Sequence, residues 1–252
     1  MKKRLIVGNW KMNLNMHEAS LYMYKLMDML PSHRDVETVV APTTLTLQSL
    51  SLQINRRVVK LAAQNCYWRD HGSYTGEVPA AHLRGIAEYV LVGHSERRHV
   101  FHEGEKDIRL KVQAAVRNHI VPILCIGETA HERSLGETTV VLQDQLTSGL
   151  ANITAEELGS IVVAYEPVWA IGTGESARPS DVQEAAKVIR GQLSHLFGRK
   201  HAETVRVLYG GSVTIDNAAE YLAVKGVDGL LVGGASLDGH QFTEIVKKAH
   251  KG

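Results

Sequence analysis

The sequence predicts an α/β fold, a single (β/α)8 barrel domain over residues 1–252, with a closed eight-stranded parallel sheet ringed by helices. Three observations predict it. Eight short runs of aliphatic and β-branched residues recur along the chain, and most do not alternate with polar residues. Such runs suit strands buried on both faces, as parallel strands under helices are. Segments with apolar residues at helical spacing lie between them. Chemically unusual residues then follow several different strands. An open doubly wound sheet is the alternative, but it concentrates its ligand site at one switch point, and no G-x-G-x-x-G follows the first strand. A barrel instead gathers functional groups from the carboxyl ends of many strands.

In order, the strand runs are residues 5–7, 38–41, 58–62, 89–92, 121–126, 161–164, 205–208 and 229–232. After the first comes a stripe of Ala19, Tyr22, Met23, Leu26 and Leu30, preceded by Asn15-x-x-Glu18. That spacing is a capping box, in which the Asn side chain accepts from the helix and the Glu reaches back. Thr154-x-x-Glu157 repeats it. Residues 105–120 place Ile108, Val112, Ala115, Val116 and Ile120 on one face. Residues 181–196 do the same with Val182, Ala185, Ala186, Ile189, Leu193 and Leu196. No linker or low-complexity segment interrupts the series.

Composition narrows the function. The 252 residues carry 28 basic and 27 acidic side chains, a formal charge of +1, which gives no support for long-range attraction to nucleic acid or anionic lipid. The two cysteines, Cys66 and Cys125, cannot build a disulfide framework or a cysteine-rich zinc site. Met1-Lys2-Lys3-Arg4 mimics a signal n-region, but the apolar run after it stops at Gly8-Asn9. No apolar stretch reaches the roughly 18 residues that span a bilayer. A soluble cytoplasmic protein is expected. Of the 13 histidines, only His99 and His102 share a helical spacing, with no accompanying H-E-x-x-H, so no metal site is expected.

Candidate chemistry sits at strand ends. Strand one ends in Asn9-Trp10-Lys11, where a lysine is either a surface residue or a fixed cation facing an anion. Asn9 is either a turn residue or a donor to the same cavity. Strand four ends in His94-Ser95-Glu96-Arg97-Arg98. A neutral imidazole can polarise a carbonyl or shuttle a proton, although a lone histidine is often structural. Ser95, Glu96 and Arg98 then form a supporting ion-pair lattice. Strand six ends in Glu166, followed by Pro167-Val168-Trp169-Ala170-Ile171-Gly172-Thr173-Gly174-Glu175-Ser176-Ala177. A carboxylate at a buried strand end is costly unless paired or used. The segment after it has a stiff end, flexible glycines and apolar cover, as a lid would; an ordinary connection is the plainer reading. Strands seven and eight end in Gly210-Gly211-Ser212 and Gly233-Gly234. Glycine turns after the last two strands of a barrel commonly grip phosphate through backbone N–H groups. This set suits proton abstraction beside a carbonyl in a small phosphorylated substrate.

These residues, with Ala63-Gln64-Asn65, Tyr74-Thr75-Gly76-Glu77, Cys125-Ile126-Gly127-Glu128 and Leu231-Val232-Gly233-Gly234-Ala235-Ser236-Leu237, resemble the triosephosphate isomerase family over nearly the whole chain. The resemblance implies a cofactor-independent isomerase of the TIM-barrel type, acting in glycolysis and gluconeogenesis on a phosphorylated triose. It implies Glu166 as general base, His94 as neutral electrophile, and Lys11 and Asn9 as stabilisers of negative charge. It implies phosphate held at Gly172, Ser212, Gly233 and Gly234 beside Asn9 and Lys11, with Ser95 and Glu96 in support and residues 167–177 as the lid. It also implies a homodimer through the loop after strand three, residues 66–79, with Tyr74, Thr75, Gly76 and Glu77 as contacts; a loop folded onto its own barrel is the alternative. The family often has lysine and threonine where this chain has Glu175 and Ser176, alanine at Ser73 and glycine at Leu14. A pentulose-phosphate epimerase would want metal ligands at strand ends and would lack the Glu166 lid. A noncatalytic dimeric scaffold would not need Asn9, Lys11, His94 and Glu166 together.

Overall fold

The computed structural model describes residues 2–31, 35–171 and 176–250. Eight strands pair in sequence order and close on themselves: β1 (Arg4–Asn9), β2 (Val36–Ala41), β3 (Lys60–Ala63), β4 (Tyr89–Val92), β5 (Val121–Ile126), β6 (Val162–Tyr165), β7 (Arg206–Tyr209) and β8 (Gly229–Val232). Every pairing is parallel, and Leu5 opposite Gly229 joins the last strand to the first. Parallel pairing around a closed ring puts all eight carboxyl ends on one rim.

Two apolar layers hold the ring. The inner one fills the barrel with Leu5, Val7, Val39, Leu91, Ile123 and Leu208 among others. The outer one lies between sheet and helices and includes Ile6, Met23, Leu26, Val112, Ile189 and Phe242. The expected helices form as Met16–Met29, Glu105–Arg117 and Pro179–Phe197. The Asn15 box is complete: Asn15 Oδ1 accepts from Glu18 N at 3.1 Å, and Asn15 N donates to Glu18 Oε2 at 2.8 Å. The Thr154–Glu157 box also closes, at 2.9 and 3.3 Å, but opens only a short 3-10 turn, Glu157–Ser160. Residues 105–120 stop being helical at Arg117, because His119 takes a left-handed backbone (φ 58°) to redirect the chain into β5. Cys66 and Cys125 are buried and free. Burial pushes the Cys66 thiol up to about 12.

Several strands begin or end one or two residues away from their apolar runs. At the start of β2 the reason is that Glu37, a charged residue, belongs to the strand, in a cluster of polar strand residues at the amino-terminal mouth. Glu37 of β2, Lys60 of β3, Tyr89 of β4 and Arg206 of β7 meet there. Glu37 Oε1 accepts from Lys60 Nζ and from the Tyr89 hydroxyl, both at 2.6 Å, and Glu37 Oε2 accepts from Arg206 Nη1 at 3.0 Å. The Tyr89 hydroxyl in turn accepts from Arg206 Nη2 at 2.7 Å. Burial alone would raise the Glu37 carboxyl, but hydrogen bonds from Lys60 and Tyr89 and the charge of Arg206 outweigh it and hold the group below its ordinary value.

A carboxyl with a lowered folded value stabilises the fold above its unfolded value and loses that contribution as pH falls through the folded one. Glu37→Gln therefore leaves Lys60 and Arg206 facing each other, and denaturant unfolding at neutral pH should show a loss of about 3–5 kcal/mol. The gap between parent and variant should narrow as the pH is taken below 4. An equal gap at all pH values would contradict the ionised role.

Candidate active site

At the opposite rim, β6 delivers Glu166. Its N–H donates to Ile126 O at 2.7 Å, extending the β5–β6 ladder by one residue. Gly210 N donates to Tyr165 O at 2.7 Å from the β7 side. Backbones crowd this point. A Cβ on Gly127 would lie 1.7 Å from Glu166 O, and one on Gly210 would lie 3.0 Å from Glu166 Cγ. The carboxylate is only 2 % exposed. Ser95 N donates to its Oε2 at 2.8 Å, while Oε1 has no hydrogen-bond partner among the described residues.

His94 stands across from that oxygen. It caps the short helix Ser95–His99, with Nδ1 accepting from Glu96 N at 3.2 Å. An accepting Nδ1 carries no proton, which places the ring proton on Nε2. Nε2 lies 3.3 Å from Glu166 Oε1 without the alignment of a hydrogen bond. Each group thus has one face unspent toward the space between them.

Lys11 takes a left-handed backbone (φ 51°) at the end of β1. Asn9 Oδ1 accepts from Lys11 N at 3.1 Å, and Gln64 Nε2 donates to Lys11 O at 2.7 Å, so the turn is pinned from both sides. Lys11 Nζ pairs with Glu96 Oε1 at 2.7 Å, and Glu96 Oε2 comes within 3.7 Å of His94 Nδ1. Arg98 braces the loop from beneath, donating to Gly93 O at 2.8 Å and Cys125 O at 3.1 Å and pairing with Glu105.

These groups open into one cavity of about 510 Å3, lined by Asn9, Lys11, His94, Glu166, Ile171, Gly210, Gly211, Ser212, Gly233 and Gly234. Its far end is mostly backbone. Asn217 Nδ2 donates to Ser212 O at 3.0 Å and fixes that turn. Ser236 donates to Gly233 O from both N (2.8 Å) and Oγ (2.7 Å), shaping the 3-10 turn Gly234–Leu237. Backbone amides here can meet a phosphate without adding net charge.

Four of the expected lid residues, Gly172, Thr173, Gly174 and Glu175, lie outside the described residues. The start of the segment is anchored by a residue the sequence analysis left without a role, Glu128. It is fully buried and accepts from Trp169 Nε1 at 2.8 Å and the Tyr165 hydroxyl at 3.1 Å. Its backbone oxygen accepts from Val168 N at 3.1 Å. Arg133 lies over the Trp169 ring at 4.1 Å and pairs with Asp181 at 3.1 Å. At the far end, Ala177 is buried and its oxygen accepts from the Tyr221 hydroxyl at 2.8 Å. A sequence signal existed: an acidic residue directly after the Gly127 strand end, like Glu166 itself.

The loop after β3 is closed at its base by Tyr67 N to Val78 O (2.7 Å) and Ala80 N to Tyr67 O (3.3 Å). Tyr67 stacks on Trp68 at 4.0 Å and leans on Tyr74 at 4.6 Å. Tyr74, Thr75, Gly76 and Glu77 are exposed. A second cavity of about 290 Å3 adjoins Lys11 and Glu96, rimmed by Met12, Gln64, Asn65 and Phe101. Met12 is 93 % exposed and Phe101 66 %.

The family model of triosephosphate isomerase matches residues 4–249. The triosephosphate isomerase of Chloroherpeton thalassium is 43 % identical over 99 % of this chain and 100 % of its own length. That of Streptococcus mutans is 41 % identical over 97 % of this chain and 98 % of its own. That of Citrifermentans bemidjiense is 44 % identical over 98 % and 99 %.

The crowding around Glu166 makes a stability test. Gly127→Ala should force β5 and β6 apart at the rim and cost about 1–3 kcal/mol or more, read from the thermal midpoint. A variant as stable as the parent would show that the two backbones are not in contact as described.

Proposed function

Because the chain belongs to the triosephosphate isomerase family, we propose that Glu166, His94, Lys11 and Asn9 carry out its isomerisation of dihydroxyacetone phosphate and D-glyceraldehyde 3-phosphate. The reaction moves a proton between adjacent carbons through an enediolate and needs no cofactor; it serves glycolysis and, in reverse, gluconeogenesis. The observation that carries the assignment is the buried Glu166 Oε1, without a hydrogen-bond partner and 3.3 Å from His94 Nε2 on the wall of the amide-lined cavity.

Glu166 takes the proton from the carbon beside the carbonyl. The carboxylate leaves the Ser95 amide to do so, turning toward substrate held in the cavity. His94 passes its Nε2 proton to the carbonyl oxygen and takes one back from the hydroxyl on the deprotonated carbon. Glu166 returns its proton to the former carbonyl carbon. The neutral form of His94 suits this step, because an oxyanion and an imidazole are closer in proton affinity than an oxyanion and an imidazolium. As charge develops on oxygen, Lys11 Nζ and the Asn9 side chain stabilise it. Glu96 keeps Lys11 aimed, and Ser95 parks the base between turnovers. The phosphate rests on the backbone of Ser212, Gly233 and Gly234, with Gly172 completing the grip when residues 167–177 close as a lid. Closure excludes water, which strengthens each of these interactions.

We further propose a homodimer in which Tyr74, Thr75, Gly76 and Glu77 of a second copy seat in the cavity beside Lys11 and Glu96. The exposed loop tip and the apolar Met12 and Phe101 at that cavity support it. The cytoplasm is the compartment that fits two buried free cysteines, and among the described residues no helix is long and apolar enough to cross a membrane.

Isomerase activity is expected without added metal or nucleotide. Glu166→Ala should lower kcat by about 10^2- to 10^4-fold, with Glu166→Asp also severely impaired because the shorter carboxylate stops short of the carbon. Unchanged turnover in Glu166→Ala would reject the base. Sedimentation at micromolar concentration should give a dimer for the parent, and Thr75→Arg should shift it toward monomer; a fully active parent monomer would overturn the interface.

A further inference from the structure

The cavity wall includes one side-chain amide for which the mechanism has no use, that of Gln241. Gln241 sits in the first turn of the helix Gly239–Ala249, whose cap is Asp238: Asp238 Oδ1 accepts from Gln241 N at 2.9 Å. A Glu or Gln at this third helical position ordinarily reaches back to the N–H of the capping residue and completes a capping box. The boxes at Asn15, Thr129 and Thr154 each contain that return bond, made by Glu18, Glu132 and Glu157. Gln241 does not make it. Its side chain is exposed, forms no hydrogen bond among the described residues, and lines the cavity with Ser212, Gly233 and Gly234.

The chemistry of the residue explains the arrangement. A glutamate would cap the helix at least as well. At the phosphate end of the cavity it would also set a negative charge against a dianion, where Lys11 is already engaged by Glu96. A neutral amide supplies an N–H donor with no such repulsion. A phosphate offers more acceptor sites than the amides of Ser212, Gly233 and Gly234 fill.

We infer that Gln241 is a phosphate-binding residue, its Nε2 donating to an outer oxygen of the substrate phosphate. The inference rests on the isomerase reading of this cavity and adds a specificity-determining side chain to it. Gln241→Ala and Gln241→Glu test it in the full-length protein. The readouts are KM against kcat and, independently of turnover, the dissociation constant of inorganic phosphate from 31P line broadening. Gln241→Ala should raise KM and the phosphate constant together by about two- to tenfold, the loss falling on binding more than on kcat. Gln241→Glu should raise both further, and added potassium chloride should shrink its excess over Gln241→Ala. A purely structural role gives the reverse order, since glutamate preserves the cap. Phosphate binding within twofold of the parent in both variants overturns the inference. An inactive parent whose phosphate constant still responds to both substitutions would instead overturn the isomerase reading and leave Gln241 as an anion ligand.

Discussion

A carboxylate can be kept almost wholly out of water only if something answers its charge, and for Glu166 the Ser95 amide does so at 2.8 Å. Much of the upper rim follows from that need. The donor comes from the helix that His94 caps, so burying Glu166 also fixes the imidazole. The backbone that carries Glu166 is wedged between β5 and β7, which demands glycine at Gly127 and room at Gly210. The second oxygen remains unanswered. An acceptor held in that state gains more from a new partner than a fully hydrated one would.

The barrel divides its polar burden between its two mouths. At the amino-terminal end, Glu37, Lys60, Tyr89 and Arg206 satisfy one another and form a plug below the apolar interior. At the carboxyl end the charged groups are only partly satisfied. Lys11 and Glu96 neutralise each other, Arg98 ties down carbonyls, and the remaining capacity faces the cavity. The satisfied cluster stabilises the fold, and the incomplete one is available to a substrate.

The sequence made the fold legible because parallel strands buried on both faces leave long apolar signatures. It made most of the site legible because rare residue types follow those signatures. What it concealed was of two kinds. Glu37 lies inside a strand yet carries charge, so a reading based on apolar runs begins β2 two residues late; only the closed ring brings Glu37 to its neutralising partners Lys60 and Arg206. Glu128 and Gln241 are ordinary polar residues whose meaning depends on what lies opposite, Trp169 in one case and the cavity in the other. The Thr154–Glu157 pattern is a cap, but a cap fixes where a turn starts and says little about its length.

The pairing of Leu5 with Gly229 has a consequence for how the molecule is made. β1 emerges first from a ribosome, but its second neighbour is β8, the last strand translated. Until then one flank of β1 offers unsatisfied backbone groups to any passing strand, the circumstance in which nascent chains aggregate. Asn9 ends that first strand and Lys11 follows it, and the glycine turns follow the final two. The proposed site is therefore assembled late and all at once during synthesis, and no fragment ending before β8 holds all of its groups.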